Sequence, residues 1–138
     1  MTTGTKISEN LSTLETRFQE AKEKGADFIV TPEQSLLMAE NKASLFENIS
    51  YEDEDFGLRE LRGIVKKVGL FVIVGSISIK YNEDLALNRT YAFNPDGDII
   101  GVYDKIHMFD VTLSDGEKYH ESKIYKPGKK LSLVTLPW

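Results

Sequence analysis

The unbroken apolar run Leu70–Val74, entered directly from Gly69, leaves this chain few choices of fold. It is short for a packed helix, rich in β-branched residues and free of polar alternation, which is the pattern of a central strand covered on both faces. Such a strand needs a layer above and a layer below. The residues before it supply one layer. Leu58, Leu61, Val65 and Val68 recur at steps of three and four, so a helix from about Asp55 to Val68 carries them on one side, and Gly69 closes it.

The same spacing places Ile7, Leu11, Leu14, Phe18 and Ala21 on one face of an earlier helix. Ser8 can cap its start, Lys22 and Lys24 suit its negative end, and Gly25 can take the left-handed closing position. Ala26–Thr31, partly β-branched and stopped by Pro32, reads as a buried strand. A short helix is expected around Ala43–Ile49. Ala86–Phe93 and Ile99–Lys105 read as the arms of a hairpin turning through Asn94-Pro95-Asp96-Gly97-Asp98. Ile106–Lys130 is polar with little pattern and reads as a loop, after which Leu131, Leu133 and Leu136 begin a last strand.

Helix, strand, helix, strand, hairpin and strand in that order imply an α/β fold whose sheet mixes parallel and antiparallel pairs. No repeat or low-complexity linker divides residues 1–138, so a single domain is expected. The chain opens on a loop and helix and closes as a strand starts, so both ends are expected to be cut.

With 41% apolar and 28% charged residues, a 138-residue chain can bury a real core. Its net charge of −5 and pI of about 5.1 disfavour a nucleic-acid partner. No window approaches the apolar length of a membrane span, and Met1–Lys6 lacks an apolar signal core. There is no cysteine, hence no disulfide framework, and a cytoplasmic location is expected.

Three residues could carry chemistry. Glu33 follows a strand directly, where ligands of α/β sheets gather, so it can serve as a base; Pro32 and Glu33 also suit the first turn of a helix, where a carboxylate meets the macrodipole. Lys105 ends the second hairpin strand and can aim an ammonium at a developing oxyanion, or stand in solvent as a surface cation. Glu121 lies in the polar loop and has the same two readings. His107 and His120, among Asp104, Asp110, Asp115 and Glu117, match no zinc spacing, so no metal is expected. No Gly-x-Gly-x-x-Gly, P-loop or Gly-x-Ser-x-Gly motif occurs, so no cofactor is expected and a flavodoxin-like nucleotide binder is disfavoured.

Taken in order, several segments resemble the nitrilase superfamily of carbon–nitrogen hydrolases. They are Lys24-Gly25-Ala26-Asp27, Thr31-Pro32-Glu33, Leu70–Ser76, Leu87-Asn88-Arg89-Thr90 and Asn94-Pro95-Asp96-Gly97. The most specific is Tyr103-Asp104-Lys105-Ile106-His107-Met108-Phe109-Asp110-Val111, followed by His120-Glu121-Ser122 and Tyr125-Lys126-Pro127-Gly128. Phe109-Asp110 makes the chain similar to the branch that includes ω-amidase and deaminated glutathione amidase. The resemblance runs from Met1 to Trp138. It implies an αββα sandwich, here partial and lacking its first strand and C-terminal half, in a parent that pairs into a homodimer. It also implies hydrolysis of a small linear amide through a thioester. Glu33 then matches the general base, Lys105 the lysine that stabilises the tetrahedral intermediate, and Glu121 the accessory glutamate. The nucleophilic cysteine would follow the strand beginning at Leu131, and the chain has none, so the piece alone is expected to be inactive. The alternative is a non-catalytic α/β ligand-binding or assembly module that keeps the fold.

Overall fold

The structure is a computed structural model describing residues 1–114 and 116–138; Asp115 lies outside the described residues. Helix α1 (Ile7–Glu23) is followed by strand β1 (Phe28–Val30), then by helices α2 (Lys42–Asn48) and α3 (Phe56–Val68) and strand β2 (Phe71–Lys80). Strands β3 (Ala86–Phe93) and β4 (Ile99–Asp104) follow, then the small strands β5 (Asp110–Thr112) and β6 (Lys118–His120) and a 3-10 turn over Glu121–Lys123. The main sheet has the order β1-β2-β3-β4, with β1 parallel to β2 and the other pairs antiparallel. The expected α/β class and mixed sheet are therefore present.

Both amphipathic helices lie on one face of that sheet. Leu11, Leu14 and Phe18 of α1 join Leu58, Leu61, Val65 and Val68 of α3 over Val72, Val74, Ile77, Ile79, Tyr91 and Phe93. Gly25 and Gly69 take the left-handed closing positions, at φ 80° and 70°. The N–H groups of Gly25 and Ala26 return to the carbonyls of Lys22 and Ala21, which completes a Schellman closure of α1.

The start of α1 differs from expectation. Ser8 sits inside the first turn, because the buried Asn10 side chain binds both backbone groups of Gly4 and the Leu36 carbonyl and so sets the entry of the chain. The cap of α3 is Asp55, whose Oδ1 accepts from Leu58 N at 2.8 Å while Oδ2 accepts from Ser50 N at 3.3 Å. Asp55→Ala is expected to lower stability by about 1–2 kcal/mol, seen as an earlier denaturant midpoint at unchanged slope, and Asp55→Asn by less. An unshifted midpoint in the alanine variant would remove the capping role.

Four further expectations are corrected. The strand at Ala26–Thr31 is only β1, and it is not buried: Phe28 and Ile29 are half-buried and Val30 is exposed, because the helices cover only one face of the sheet. For the same reason Leu70–Val74 is covered well on one side only, with Phe71 and Ile73 half-buried. The loop Ile106–Lys130 contains β5 and β6, paired Asp110 to His120 and Thr112 to Lys118. The segment from Leu131 forms no strand; it passes over the open face with Leu131 and Leu133 in solvent, while Trp138 meets Phe28 and Phe71 edge-on at 6.4 and 5.4 Å.

One irregularity shapes everything that follows. Between Val74 and Ile77 the pairing of β2 with β3 shifts register at a bulge. Before it, the even-numbered Val72 and Val74 face the helices; after it, the odd-numbered Ile77 and Ile79 do. Ser76 and Ser78 are thereby turned to the opposite face, where their hydroxyls meet the loop that follows β1. Among the described residues no helix is long and apolar enough to cross a membrane.

Candidate active site

β1 and β4 lie at opposite edges of the sheet, so the strands leading to Glu33 and Lys105 are not side by side. Their C-terminal ends nevertheless share one rim, because β1, β2 and β4 run the same way. The distance is closed by the loop after β1. From Thr31, whose N–H reaches the Ile73 carbonyl, the chain crosses the bulge of β2 in close contact. Gly75 N donates to Thr31 Oγ1 at 3.1 Å, and a Cβ on Gly75 would overlap the Thr31 carbonyl oxygen and lie 2.7 Å from the Pro32 carbonyl carbon. Only glycine admits that approach.

Gln34 is the sole non-glycine residue with positive φ, at 53°, among the described residues. Its N–H donates to Ser76 Oγ at 2.9 Å and its Oε1 accepts from Ser78 Oγ at 2.8 Å; Ser35 N bonds the Ser76 carbonyl. Tyr125 shares a hydrogen bond with Ser78 and accepts one from Gln34 Nε2. These bonds hold an unfavourable backbone conformation next to Glu33 and turn its side chain along the rim towards β3 and β4.

There the three sequence-predicted residues meet. Lys105 Nζ lies 2.9 Å from Glu33 Oε1 and 2.9 Å from Glu121 Oε2. Glu33 and Lys105 are 72 residues apart, and Glu121 is 16 further on. Glu121 is placed by the 3-10 turn after β6 and by Phe109 N, which donates to its Oε2 at 2.6 Å. Its side chain is 14% exposed while that of Glu33 is 55% exposed, so Glu121 forms the floor and Glu33 the wall of the group.

The lysine's bond holds the Glu33 carboxyl below the ordinary carboxylate range against an opposing desolvation, with Asn88 adding to the effect. For Lys105, burial works against the charge, but bonds to Glu121 and Glu33 outweigh it and raise the ammonium above the usual lysine value. The signs are opposite and the consequence is shared. The Glu33 contribution to folding is present above the ordinary 4.5 and is lost as pH falls through its lowered value. That of Lys105 is present below 10.5 and is lost as pH rises through its raised value, so the pair is intact across neutral pH.

Beside the group opens a cleft of about 460 Å³, walled by Met38, Phe109, Tyr119 and Ile124 with His120 at its edge. His107 is exposed and away from it.

A family model for carbon–nitrogen hydrolases matches residues 2–137. The chain belongs to that family. Among curated carbon–nitrogen hydrolases it is 31% identical over 137 residues to deaminated glutathione amidase of Yersinia enterocolitica, covering 97% of this chain and 47% of that protein. It is 28% identical over 131 residues to omega-amidase NIT2 of Danio rerio, covering 95% and 46%. The chain thus spans about half the length of the curated relatives it matches. Its fold is that of the nitrilase superfamily. The C. elegans NitFhit protein superposes with a TM-score of 0.76 at 19% identity over 93% of this chain and 32% of that one. An amidase from Nesterenkonia sp. gives 0.74 at 19% over 93% and 46%.

Asn88 and Gln34 touch the candidate site of this family member and were not singled out by residue chemistry. For Asn88 a signal existed: asparagine is depleted in strand interiors, and here one sits inside a hairpin arm.

Proposed function

We propose that this chain supplies the base and the cation of a thiol-dependent amidase that hydrolyses a small linear amide to a carboxylic acid and ammonia. The observation that carries the reading is the placement of the Lys105 ammonium between Glu33 and Glu121, at 2.9 Å from each, at the mouth of an open cleft. The names of the relatives, deaminated glutathione amidase and omega-amidase, support the amide class. A thiol is supported by the Nesterenkonia amidase, described with acrylamide added to its active-site cysteine. This chain contains no cysteine, so the nucleophile belongs to other residues of the parent protein. Pairing of the parent into a homodimer rests on the family resemblance.

The steps follow from the residue types. An amide carbonyl is a poor electrophile, so the thiol is first deprotonated by the Glu33 carboxylate. Sulfur attacks the carbonyl carbon, and the negative charge that gathers on its oxygen is met by the Lys105 ammonium. Glu33 returns its proton to the nitrogen as the C–N bond breaks, and ammonia leaves. Water, giving its proton to Glu33, then attacks the thioester; the acid forms as the C–S bond breaks, and the departing sulfur takes that proton from Glu33, restoring the thiol and the carboxylate. Glu121 keeps Lys105 charged and aimed throughout.

Ammonia release from succinamate and glutaramate tests this in the parent protein and in the 138-residue chain. Release is expected from the parent and not from the chain, which lacks the group that forms the thioester. Turnover by the pure chain, lost on Glu33→Gln, would overturn the assignment of roles.

A further inference from the structure

Among the described residues, Asn88 is the one whose hydrogen bonds reach all three members of the group. It lies on β3, between β2 and β4, and is 2% exposed. Its Nδ2 donates to Glu33 Oε1 at 2.7 Å and to Glu121 Oε1 at 3.2 Å, and its carbonyl accepts from Lys105 N at 3.0 Å. Lys105 Nζ reaches the same two carboxylate oxygens at 2.9 and 3.1 Å. Two donors and two acceptors therefore alternate around a closed ring. We propose that Asn88 is a positioning residue whose amide, as the second donor in that ring, holds Glu33 and Glu121 apart and fixes Glu33 as an ionised base aimed at the cleft. The proposal rests on the amidase reading above.

Electrostatics explain why the ring needs a second donor. Two carboxylates face one ammonium, so one negative charge is left without a cation in a partly buried place, where repulsion is weakly screened. A neutral amide directs the positive ends of two N–H dipoles at both carboxylates without adding charge. An acidic side chain of the same shape would add a third negative group and no donor. The burial of Asn88 makes its geometry rigid, and its backbone bond ties that geometry to the position of Lys105.

The other titratable groups near Glu33 are Tyr125 from the segment after the 3-10 turn, and Tyr119 and His120 of β6 across the cleft. Lys105 accounts for the larger part of the depression of the Glu33 carboxyl and Asn88 for a smaller part. Removing the amide donors should therefore raise the Glu33 carboxyl while leaving Lys105 in place.

The test is the pH profile of kcat/KM for succinamate hydrolysis by the full-length parent carrying Asn88→Ser or Asn88→Asp, with melting temperature followed alongside. Both variants are expected to lose roughly 10- to 100-fold in kcat/KM, as for loss of hydrogen bonds to a charged group. The loss should fall in kcat with KM little changed, and the acid limb should move to higher pH. Asn88→Asp keeps the shape of the side chain and decides the matter should the serine variant unfold. A variant with a lower melting temperature but an unmoved acid limb would reduce Asn88 to a structural residue and overturn the proposal. Glu33→Gln and Lys105→Met run in parallel: if these retain turnover, the amidase reading itself fails; if they are inactive while Asn88 variants match the wild type, only the positioning role fails.

Discussion

If the proposed amidase mechanism holds, Lys105→Met in the full-length parent is expected to lower kcat/KM by roughly 10²- to 10³-fold, the effect of deleting one preorganised donor to a developing oxyanion. Methionine keeps the length and the apolar stem of lysine, so the change removes charge and donor with little loss of packing. The ammonium is held from two sides, at 2.9 Å from Glu33 and from Glu121, so it does not have to be recruited when charge develops. Glu33→Gln should lose activity by about 10²- to 10⁴-fold for a different reason, since an amide cannot accept the thiol proton. Alkylation of the thiol separates the two. Its rate at neutral pH should fall in Glu33→Gln and be far less affected in Lys105→Met, because in the proposed mechanism the lysine acts after the sulfur has attacked. Wild-type amide turnover in Lys105→Met would return this residue to the status of a surface cation.

Gly75→Val is expected to cost about 3 kcal/mol of stability, through overlap with backbone that has no room to move. The Thr31 carbonyl and Pro32 lie against the Gly75 Cα, and Thr90 Oγ1 bonds the Gly75 carbonyl at 2.8 Å from the far side, so β2 cannot retreat. The loop must lift instead, and with it the turn that aims Glu33. Gly63→Ala is the matched control: it lies in the interior of α3, a Cβ there meets nothing within 4 Å, and a gain of up to about 1 kcal/mol is expected. Urea denaturation of both variants checks the pair. Equal stability of Gly75→Val and wild type would mean that the crossing of β2 by the loop is not close in solution.

Local pattern was a good guide wherever one face of an element does the packing. The spacing of Leu58, Leu61, Val65 and Val68 yields α3 with its closing glycine, because helix periodicity and termination are properties of a few neighbouring residues. Asn94–Asp98 turns the hairpin as expected, with Asn94 Oδ1 accepting from Asp96 N and Asp98 N, a bond set that needs nothing outside the turn. Where pattern failed, the deciding partner was distant in the chain or the element carried no apolar pattern. An apolar run such as Leu70–Val74 records that its side chains avoid water; it does not record which layer covers each face. β5 and β6 carry polar residues and pair across a short loop, so they leave no apolar signature. Leu131 and Leu133 look like strand residues, yet among the described residues they pair with no strand and stand in solvent.

The candidate site divides along the same line. That Glu33 and Lys105 stand at the C-terminal ends of strands is legible in residue order, since Pro32 halts one strand and the hairpin arithmetic ends the other. That they touch across the whole width of a sheet is not. Contact depends on the bulge at Val74–Ile77, on Gly75 letting the loop lie flat, and on Ser76, Ser78 and Tyr125 holding Gln34 in a left-handed turn. A bulge shows only when two strands are paired, and a left-handed turn at glutamine is unfavourable until distant hydroxyls bind it. Side-chain chemistry and the family resemblance named the three charged residues; bonds of the Gln34 turn to Ser76 and Ser78, 42 and 44 positions away, help bring Glu33 to the Lys105 ammonium, which lies 2.9 Å from Glu33 and from Glu121.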